Sequence, residues 1–510
     1  ALPKAFNENF LLYLAMTRAE EYLTISYAGS NDEGEGLESS LVIKRLQSLG
    51  FCTSPIEVPF TIQDGTEDEY LWRPYQSLSL LSERWGALFS GVPVSPLWWG
   101  LYNWARESDT YRPRLGEVSR GIRDNNDVPV IAPELVNGLF LKRGYMSGSV
   151  TRLEKYRQCP FKFYAQYGLK LEPRKVRSFG APEIGTFLHA NLERLGTQLL
   201  SEHKQWRDLD ETAQQELCAR VAADILEENR YDEDEKTAYD KAIEERVVRT
   251  LQKTVSRLVD WSSRSSFDTM YLEQDFGRPN GWDSIKVSLG DDRYLRLVGQ
   301  IDRIDEYNRD GHTYGMVIDY KSGSTSVNAQ EIYYGLKLQL MTYLLALESA
   351  YKKHHDQPMT PAAVVYTYVK NPRTPAGEPV SYEEAKALAD TNGALNNKGY
   401  FTDDIDMLEK MDKNLLTYKS KGPYVPVRIT GKGSIHSGDM KIVKSSGDFD
   451  IMCRYTESIM ADTGSAIGKG EFPIAPYQLN KAIPCSYCDY KTVCRFDNER
   501  NQYNYLSALN

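Results

Sequence analysis

Hydrophobic positions in the second half of this 510-residue chain alternate over three stretches, Lys286 to Leu289, Tyr294 to Asp305 and Thr313 to Lys321. A period of two is the signature of a half-buried strand, so the three stretches predict an antiparallel sheet. A helical repeat over Gln330 to Tyr351 predicts a helix covering that sheet, and Ala362 to Val369 reads as one more strand. Upstream the period becomes that of amphipathic helices, near Ile184 to Leu200, Thr212 to Asn229 and Lys241 to Ser262. From Ser147 onward a Ser/Thr entry and the spacing of Leu153, Tyr156 and Phe161 predict a helix that carries Cys159. Residues 41–145 look mostly helical, with Trp72, Trp85, Trp98, Trp99 and Trp104 along a path punctuated by proline. Residues 9–28 read as a helix ending in a short strand, and Gly29 to Ser40 as an acidic Gly/Ser loop that marks a boundary. Three regions are expected: 1–40, a mainly helical packing domain over 41–145, and 146–510, where the chemistry lies.

Length and composition narrow the function classes. A chain of 510 residues exceeds one small core. No apolar run approaches the roughly 18 residues needed to span a bilayer, and the start has no charged-then-apolar signal pattern. An intracellular, reducing, non-membrane setting is the expectation, and the opening alanine, in mid-pattern, reads as a piece of something longer. The net charge of -10 argues against a simple basic nucleic-acid binder. Carboxylates that hold divalent ions would nonetheless add negative charge where a phosphodiester enzyme needs it. Local basic stretches then matter more than the total: Arg152 to Lys162, Lys170 to Arg177 and Lys419 to Lys432 are candidates for DNA contact, or solvated faces.

Four of seven cysteines form a pattern, with Cys485, Cys488 and Cys494 in C-x2-C-x5-C and Cys159 far upstream in YRQCPFKFYAQYG. Three thiolates in one short turn can face one metal centre while the fold brings in the fourth. Unequal spacing with one remote ligand fits an iron-sulfur cluster better than the paired knuckles of structural zinc. Closing so long a loop would restrict the unfolded chain by roughly 5 kcal/mol, by analogy with a disulfide. Cys52, Cys218 and Cys453 read as core or free thiols.

Val317-Ile318-Asp319-Tyr320-Lys321 is an apolar strand ending in a carboxylate and an ammonium on one face. Most D-x-K pairs on strands are surface salt bridges. This pair also suits metal-assisted hydrolysis: Asp319 would bind a divalent ion and Lys321 would orient or deprotonate the attacking water. The preceding strand brings Asp302 into an apolar run after Gly299, where a carboxylate needs a partner or a metal. Arg303 could be that partner, and Asp305 should point away. Oxygens of Asp302, Asp319 and the Tyr320 carbonyl would suit magnesium. On two helices, His189 with Glu193 and Gln339 with Tyr343 each stand i,i+4, and Gly185 allows close approach to a strand or phosphate.

The order Gly-x-x-x-His, Asp, Asp-x-Lys, Gln-x-x-x-Tyr resembles the RecB-like branch of the PD-(D/E)xK nuclease superfamily. With the four cysteines it is similar to the iron-sulfur AddB family. LAMTRAEEYLTISY, SVTRLEKYRQCPFKFYAQYGLKLEP, GTFLHANLE, LVGQIDRID, VIDYKSG, LQLMTYLLAL and CSYCDYKTVCRFD recur in that family's order. The resemblance implies an α/β fold: a helical region, then a restriction-endonuclease-like core, a central mixed sheet flanked by helices, closed by a four-cysteine iron-sulfur staple. It also implies a magnesium-dependent single-strand DNA exonuclease that cuts the 5'-terminated strand in bacterial double-strand-break repair. DNA, as single-stranded tail and duplex end, and an AddA-like helicase-nuclease in a heterodimer would be its partners, in the cytoplasm. Asp302, Asp319, Lys321, Gln339, Tyr343 and His189 match the catalytic positions, His189, Asp302, Asp319 and Tyr320 the magnesium ligands, and Cys159, Cys485, Cys488 and Cys494 the ligands of a 4Fe-4S cluster. Rival expectations are a DNA-end-binding scaffold with a silent nuclease centre and a free-standing iron-sulfur exonuclease. Thr17-Arg18-Ala19 resembles the last conserved segment of UvrD-type helicases, the end of a RecA-like domain. No G-x-x-x-x-G-K-[ST] occurs, so this chain alone should not hydrolyse ATP.

Overall fold

The computed structural model describes residues 10–30, 36–51, 56, 66–89, 91–122, 126–142, 144–172, 181–228, 238–290, 292–323, 325–354, 359–369, 381, 384, 396–418, 420–498 and 500–508. It divides into two compact units, Ala1–Arg123 and Asp124–Asn510.

In the first unit, helices Pro74–Phe89, Pro96–Glu107 and Arg112–Ile122 surround a core of Leu78, Leu81, Trp85, Trp98, Ala105 and Leu115. Pro96 starts its helix at a position where the missing N–H is harmless. Residues 10–16 are helical as expected, but the short strand does not follow. Tyr22, Leu23, Ile25 and Tyr27 lie exposed, and a strand forms only where another can pair with its backbone. The loop at 29–40 and Cys52 fall partly or wholly outside the described residues.

Among the described residues twelve strands mark the second unit: β1 (Leu141–Lys142), β2 (Tyr145–Gly148), β3 (Asp268–Phe276), β4 (Ile285–Gly290), β5 (Arg293–Leu297), β6 (Gly299–Arg309), β7 (His312–Lys321), β8 (Thr360–Tyr368), β9 (Lys398–Thr402), β10 (Val443–Lys444), β11 (Tyr477–Leu479) and β12 (Asn504–Leu506). The central sheet runs β10-β9-β8-β7-β6-β3. It is mixed: β7 pairs parallel with β8 and β9 with β10, and the other neighbours are antiparallel. A parallel pair needs a crossover, and helix Gln339–His354 makes the one between β7 and β8. Alternation along β7 sends Met316, Ile318 and Tyr320 into one core, shared with helices Ala181–Ser201, Glu211–Glu228 and Ala238–Arg264. Val317 goes to the other, shared with helices Gln339–His354 and Ser446–Gly468. The result is a helix-sheet-helix sandwich of the α/β class, with the mixed sheet that the family resemblance implies rather than the antiparallel one that alternation alone predicts.

Two details depart from the sequence pattern. The Tyr294 to Asp305 stretch is two strands in two sheets: β5 joins β1, β2 and β4 in the order β1-β2-β5-β4, and β6 enters the central sheet. Gly299 sits at the break, where a Cβ would lie 2.5 Å from the Phe276 ring. The Gln330 to Tyr351 helix is also two, because Ala329–Tyr333 ends at Gly335, whose φ of 74° suits only glycine comfortably. The chain restarts at Gln339, which places that side chain on a helix N-terminus beside the sheet.

Candidate active site

The end of β7 and the start of β6 form the site. One step beyond the Arg303↔Ile318 pair, Asp302 and Asp319 stand opposite each other on neighbouring strands. Both are buried, and the Asp302 Oδ2 accepts the Tyr320 backbone N–H at 2.7 Å. Burial pushes the Asp319 carboxyl up to about 7, with Asp302 adding to it and Lys321 opposing. Asp302 is raised to about 6 by burial, against the Tyr320 hydrogen bond and Lys321. Arg303 does not partner Asp302: strand alternation turns it to the other face, where it grips Asp305 through two hydrogen bonds of 2.7 and 2.6 Å. Asp305 thus points away from the site, as its position predicts, and leaves Asp302 without a cationic neighbour on its own strand.

Asp319 and Lys321 share a face, and Lys321 Nζ lies 2.6 Å from Asp319 Oδ2. The ammonium so close to this buried carboxylate opposes the rise that burial imposes on it. Gln339 organises the rest. Its Nε2 donates to Asp319 Oδ1 at 2.7 Å and to Tyr343 Oη at 2.8 Å, and its Oε1 accepts from Lys321 Nζ at 2.9 Å. Glu154, which sequence reasoning passed over, fixes Gln339 in turn: one carboxylate oxygen accepts the N–H groups of Leu338 and Gln339, at 2.7 and 3.2 Å. Anions at helix N-termini are favoured by the unpaired N–H groups there. Burial nevertheless pushes Glu154 up to about 7.

His189 comes from helix Ala181–Ser201 on the other side of the cleft. Its Nε2 is 3.0 Å from the Tyr320 carbonyl, which can only accept, so Nε2 carries the proton. The Nδ1 lone pair then faces Asp302 Oδ2 at 3.4 Å. Burial lowers the His189 pKa and favours the neutral ring. Two lone pairs at that separation want a cation. Glu273, also missed by the sequence reading, supplies another: ligand atoms of His189, Glu273 and Asp302 all lie within 4.8 Å of one another. Burial, then Asp302, pushes Glu273 up to about 8. It stands on β3 at φ 45°, where the register of Leu272↔Arg303 and Gln274↔Ile301 sets it opposite Asp302; the sequence reading did not identify this strand. This donor set of carboxylates and one neutral imidazole fits a divalent cation. His189, Glu193, Glu273, Asp302 and Tyr343 line one open cleft with Arg278. A Cβ on Gly185, at its rim, would lie 3.0 Å from Ser322 Oγ, so the glycine does admit a close approach.

Cys159, Cys485, Cys488 and Cys494 line a separate pocket with Phe161, Lys162 and Tyr490. Helix Val150–Gln158 stops just before Cys159, which is extended at φ -167°, rather than carrying it. Burial pushes the Cys159 thiol up to about 11, and Cys485 and Cys488 add to it. Four thiols lining one pocket, with burial raising Cys159, Cys485 and Cys494, fit a cationic centre. Among the described residues no three of these thiols fall within 4.8 Å of one another. A tetrahedral zinc with 2.3 Å bonds would need about 3.8 Å between sulfurs. Cys218 and Cys453 are buried core residues, as expected. Of the basic stretches, Lys421 and Arg428 are held by Asp439, and residues 173–177 and 419 lie outside the described set.

The sequence profile of the PD-(D/E)XK nuclease superfamily matches residues 147–495, the stretch that holds both sites. The chain belongs to the PD-(D/E)XK nuclease superfamily. Earlier in the sequence, the profile of the ATP-dependent helicase/deoxyribonuclease AddB fifth domain matches residues 64–121. AddB-like relatives, each described as a subunit of an ATP-dependent helicase/deoxyribonuclease, agree over nearly the whole chain. That of Clostridioides difficile (strain 630) is 31% identical over 521 residues, covering 99% of this chain and 44% of the relative. The protein of the same description in Thermoanaerobacter sp. (strain X514) is 30% identical over 512 residues, covering 99% and 43%. That of Desulforudis audaxviator (strain MP104C) is 31% identical over 515 residues, covering 99% and 43%. The chain therefore spans less than half the length of these curated relatives. PD-(D/E)XK nucleases generally use a divalent metal, in keeping with the carboxylate cluster found here. Among the described residues no helix is long and apolar enough to cross a membrane.

Proposed function

We propose that this chain is the nuclease-bearing part of a helicase-nuclease subunit, a magnesium-dependent deoxyribonuclease acting on single strands and cutting the 5'-terminated one. The observation that carries the reading is the network in which Gln339 joins Asp319, Lys321 and Tyr343 beside Asp302. An idle structural ion pair needs no such third party. His189, Glu273, Asp302, Asp319 and the Tyr320 carbonyl would hold Mg2+, which when bound offsets charge on the phosphate oxygens and acidifies water. Lys321, steadied by Gln339, orients the attacking water. The water oxygen bonds to phosphorus as the bond to the 3'-oxygen breaks; that oxygen takes a proton, leaving a 3'-hydroxyl and a 5'-phosphate. Cys159, Cys485, Cys488 and Cys494 hold a 4Fe-4S cluster that ties residue 159 to the C-terminal segment. An AddA-like helicase-nuclease would be the heterodimeric partner that unwinds bacterial duplex ends in the cytoplasm. Residues 1–40 would be the tail of a helicase-like domain, 41–145 a packing domain and 146–510 the nuclease.

The test is anaerobically purified protein incubated with end-labelled single-stranded DNA, with and without Mg2+, beside Lys321→Ala. Mg2+-dependent degradation lost in the variant is expected, and the labelled end reports polarity. Degradation that persists in Lys321→Ala overturns the assigned centre. If neither protein cuts, alone or with an AddA-like partner, the scaffold reading replaces it.

A further inference from the structure

The small sheet β1-β2-β5-β4 packs only one face. Met146, Leu295, Leu297, Ile285 and Val287 are buried beneath it in the core shared with helix Gln339–His354. Its other face is chemically uniform. In register, Lys142 faces Tyr145, Tyr145 faces Tyr294, and Arg296 faces Lys286. Ser147 and Ser288 complete the rows, and no described outward position on these four strands is acidic. Acidic residues outnumber basic ones in the chain, 71 to 61, so a carboxylate-free basic patch is a local departure. Tyr145 and Tyr294 are 43% and 38% exposed with ring centroids 6.1 Å apart. Among the described residues Lys286 and Arg296 form no ion pair within 4 Å.

This face continues into the cleft. Lys286, Arg296 and Tyr145 border an open groove with Trp282 and Lys352, into which Asp283, Glu348 and Glu457 also open, and Arg278, in the turn between β3 and β4 and ion-paired with Asp275, lines both that groove and the catalytic cleft. Strands about 4.8 Å apart make the face roughly 15 Å wide, enough for a few nucleotides. Aromatic rings beside cations on a sheet are what single-stranded nucleic acid requires: a stacking surface for bases and counter-charge for phosphates.

We propose that the solvent face of β1-β2-β5-β4 is a platform for single-stranded DNA, which passes over Tyr145, Tyr294, Lys286 and Arg296 and reaches the cleft beside Arg278. The occupant is chosen by charge complementarity and by continuity with the cleft. The choice of DNA rests on the nuclease reading, while the binding itself does not.

The experiment measures fluorescence anisotropy of a labelled 20-nucleotide oligothymidylate with the full chain in EDTA, so that nothing is cut. Tyr145→Ala/Tyr294→Ala should weaken binding roughly tenfold for each stacked base lost. Lys286→Glu/Arg296→Glu should weaken it and lower the slope of log K against log salt by about 1.4, at roughly 0.7 per phosphate contact. The charge-matched pair Lys204→Glu/Arg220→Glu, exposed elsewhere in the unit, should stay within about twofold of wild type. All substitutions are at surface positions, and melting curves check that the fold is kept. Wild-type affinity in both face variants, or no binding by the parent, overturns the platform; so does a loss of partner association with DNA affinity unchanged. A parent that binds through this face but never cuts leaves the platform standing and removes the nuclease reading. One that cuts while the face variants bind normally does the reverse.

Discussion

Glu154 tests whether the site depends on a residue that touches no reacting atom. Its carboxylate oxygen accepts two N–H groups at the head of the helix that presents Gln339. Glu154→Ala removes both acceptors and leaves two N–H groups without partners, at about 1–3 kcal/mol each. Glu154→Gln keeps an acceptor oxygen in place and removes only the charge. Gln should therefore be more stable than Ala by about 2–6 kcal/mol, a difference read in chemical denaturation. In Ala the helix head relaxes and Gln339 drifts from Asp319 and Lys321. A displacement near 1 Å of a positioning group can lower kcat by roughly a hundredfold, with KM for the strand little changed. Gln should remain within about threefold of the parent. Wild-type kcat in Glu154→Ala would refute the chain of support, and a Gln variant as slow as Ala would show that charge, not capping, is what matters.

The same residue gives a pH dependence with a definite sign. Burial raises Glu154 from 4.5 to about 7, so its ionised form is the disfavoured one in the fold. Its contribution to stability is complete below pH 4.5 and is lost as pH rises through 7. A shift of that size is worth up to about 3 kcal/mol. Glu154→Gln, which cannot ionise, should match the parent near pH 4.5 and exceed it at pH 8. A parent that gains on the Gln variant as pH rises would reverse the argument.

Four further outcomes are expected. Glu273→Gln should weaken Mg2+ activation of cleavage by at least roughly tenfold while leaving DNA affinity in EDTA unchanged, measured by Mg2+ titration; an unshifted titration removes Glu273 from the metal. Asp302→Ala should abolish cleavage yet bind single strands at least as tightly in EDTA, because a carboxylate that repels phosphate is gone; weaker binding would mean that Asp302 positions the strand. Cys488→Ala should bleach visible absorbance and lower the melting temperature of the nuclease unit, its staple being worth no more than roughly 5 kcal/mol; an unchanged spectrum excludes the cluster from these cysteines. Burial alone would raise Asp439, but hydrogen bonds from Arg428 and Lys421 hold it down to about 2. Asp439→Asn should therefore cost about 2 kcal/mol at neutral pH, a deficit that shrinks as pH falls from 4 toward 2 in matched denaturation curves.

What the sequence made legible was what periodicity encodes. Asp319 and Lys321 sit two apart on a strand, Gln339 and Tyr343 four apart on a helix, and both pairs do share a face in the fold. Asp302 was legible because a carboxylate in an apolar run stands out, although Arg303 looked like its partner. The same period of two pairs Arg303 with Asp305 instead. Glu273 was not legible because β3 was not read as a strand, and only its pairing with β6 sets Glu273 opposite Asp302. Glu154 was hidden by a different cause: its partners are backbone N–H groups of a helix start that a continuous apolar repeat concealed. Gly335 and Gly299, which end the apparent helix and the apparent strand, were visible as letters, but only packing against Arg157 and Phe276 makes them breaks.

The catalytic carboxylates and the outward positions of β1-β2-β5-β4 carry opposite charge, and that division follows from what each must do. Around the cleft, Glu273, Asp302 and Asp319 are all raised by burial, with Asp302 pushing Glu273 and Asp319 further, and together they repel phosphate until a cation enters. Such a site cannot also be the main source of affinity for a polyanion. Strand capture then has to come from surface outside the cleft, and the carboxylate-free face of β1-β2-β5-β4 is adjacent to it through Arg278. Affinity and cleavage should consequently separate under mutation: changes among the cleft carboxylates alter rate and metal response, and changes on the sheet face alter affinity and its salt dependence. A single substitution on the sheet face that abolished cleavage at saturating DNA would break that separation and place a face residue in the chemistry.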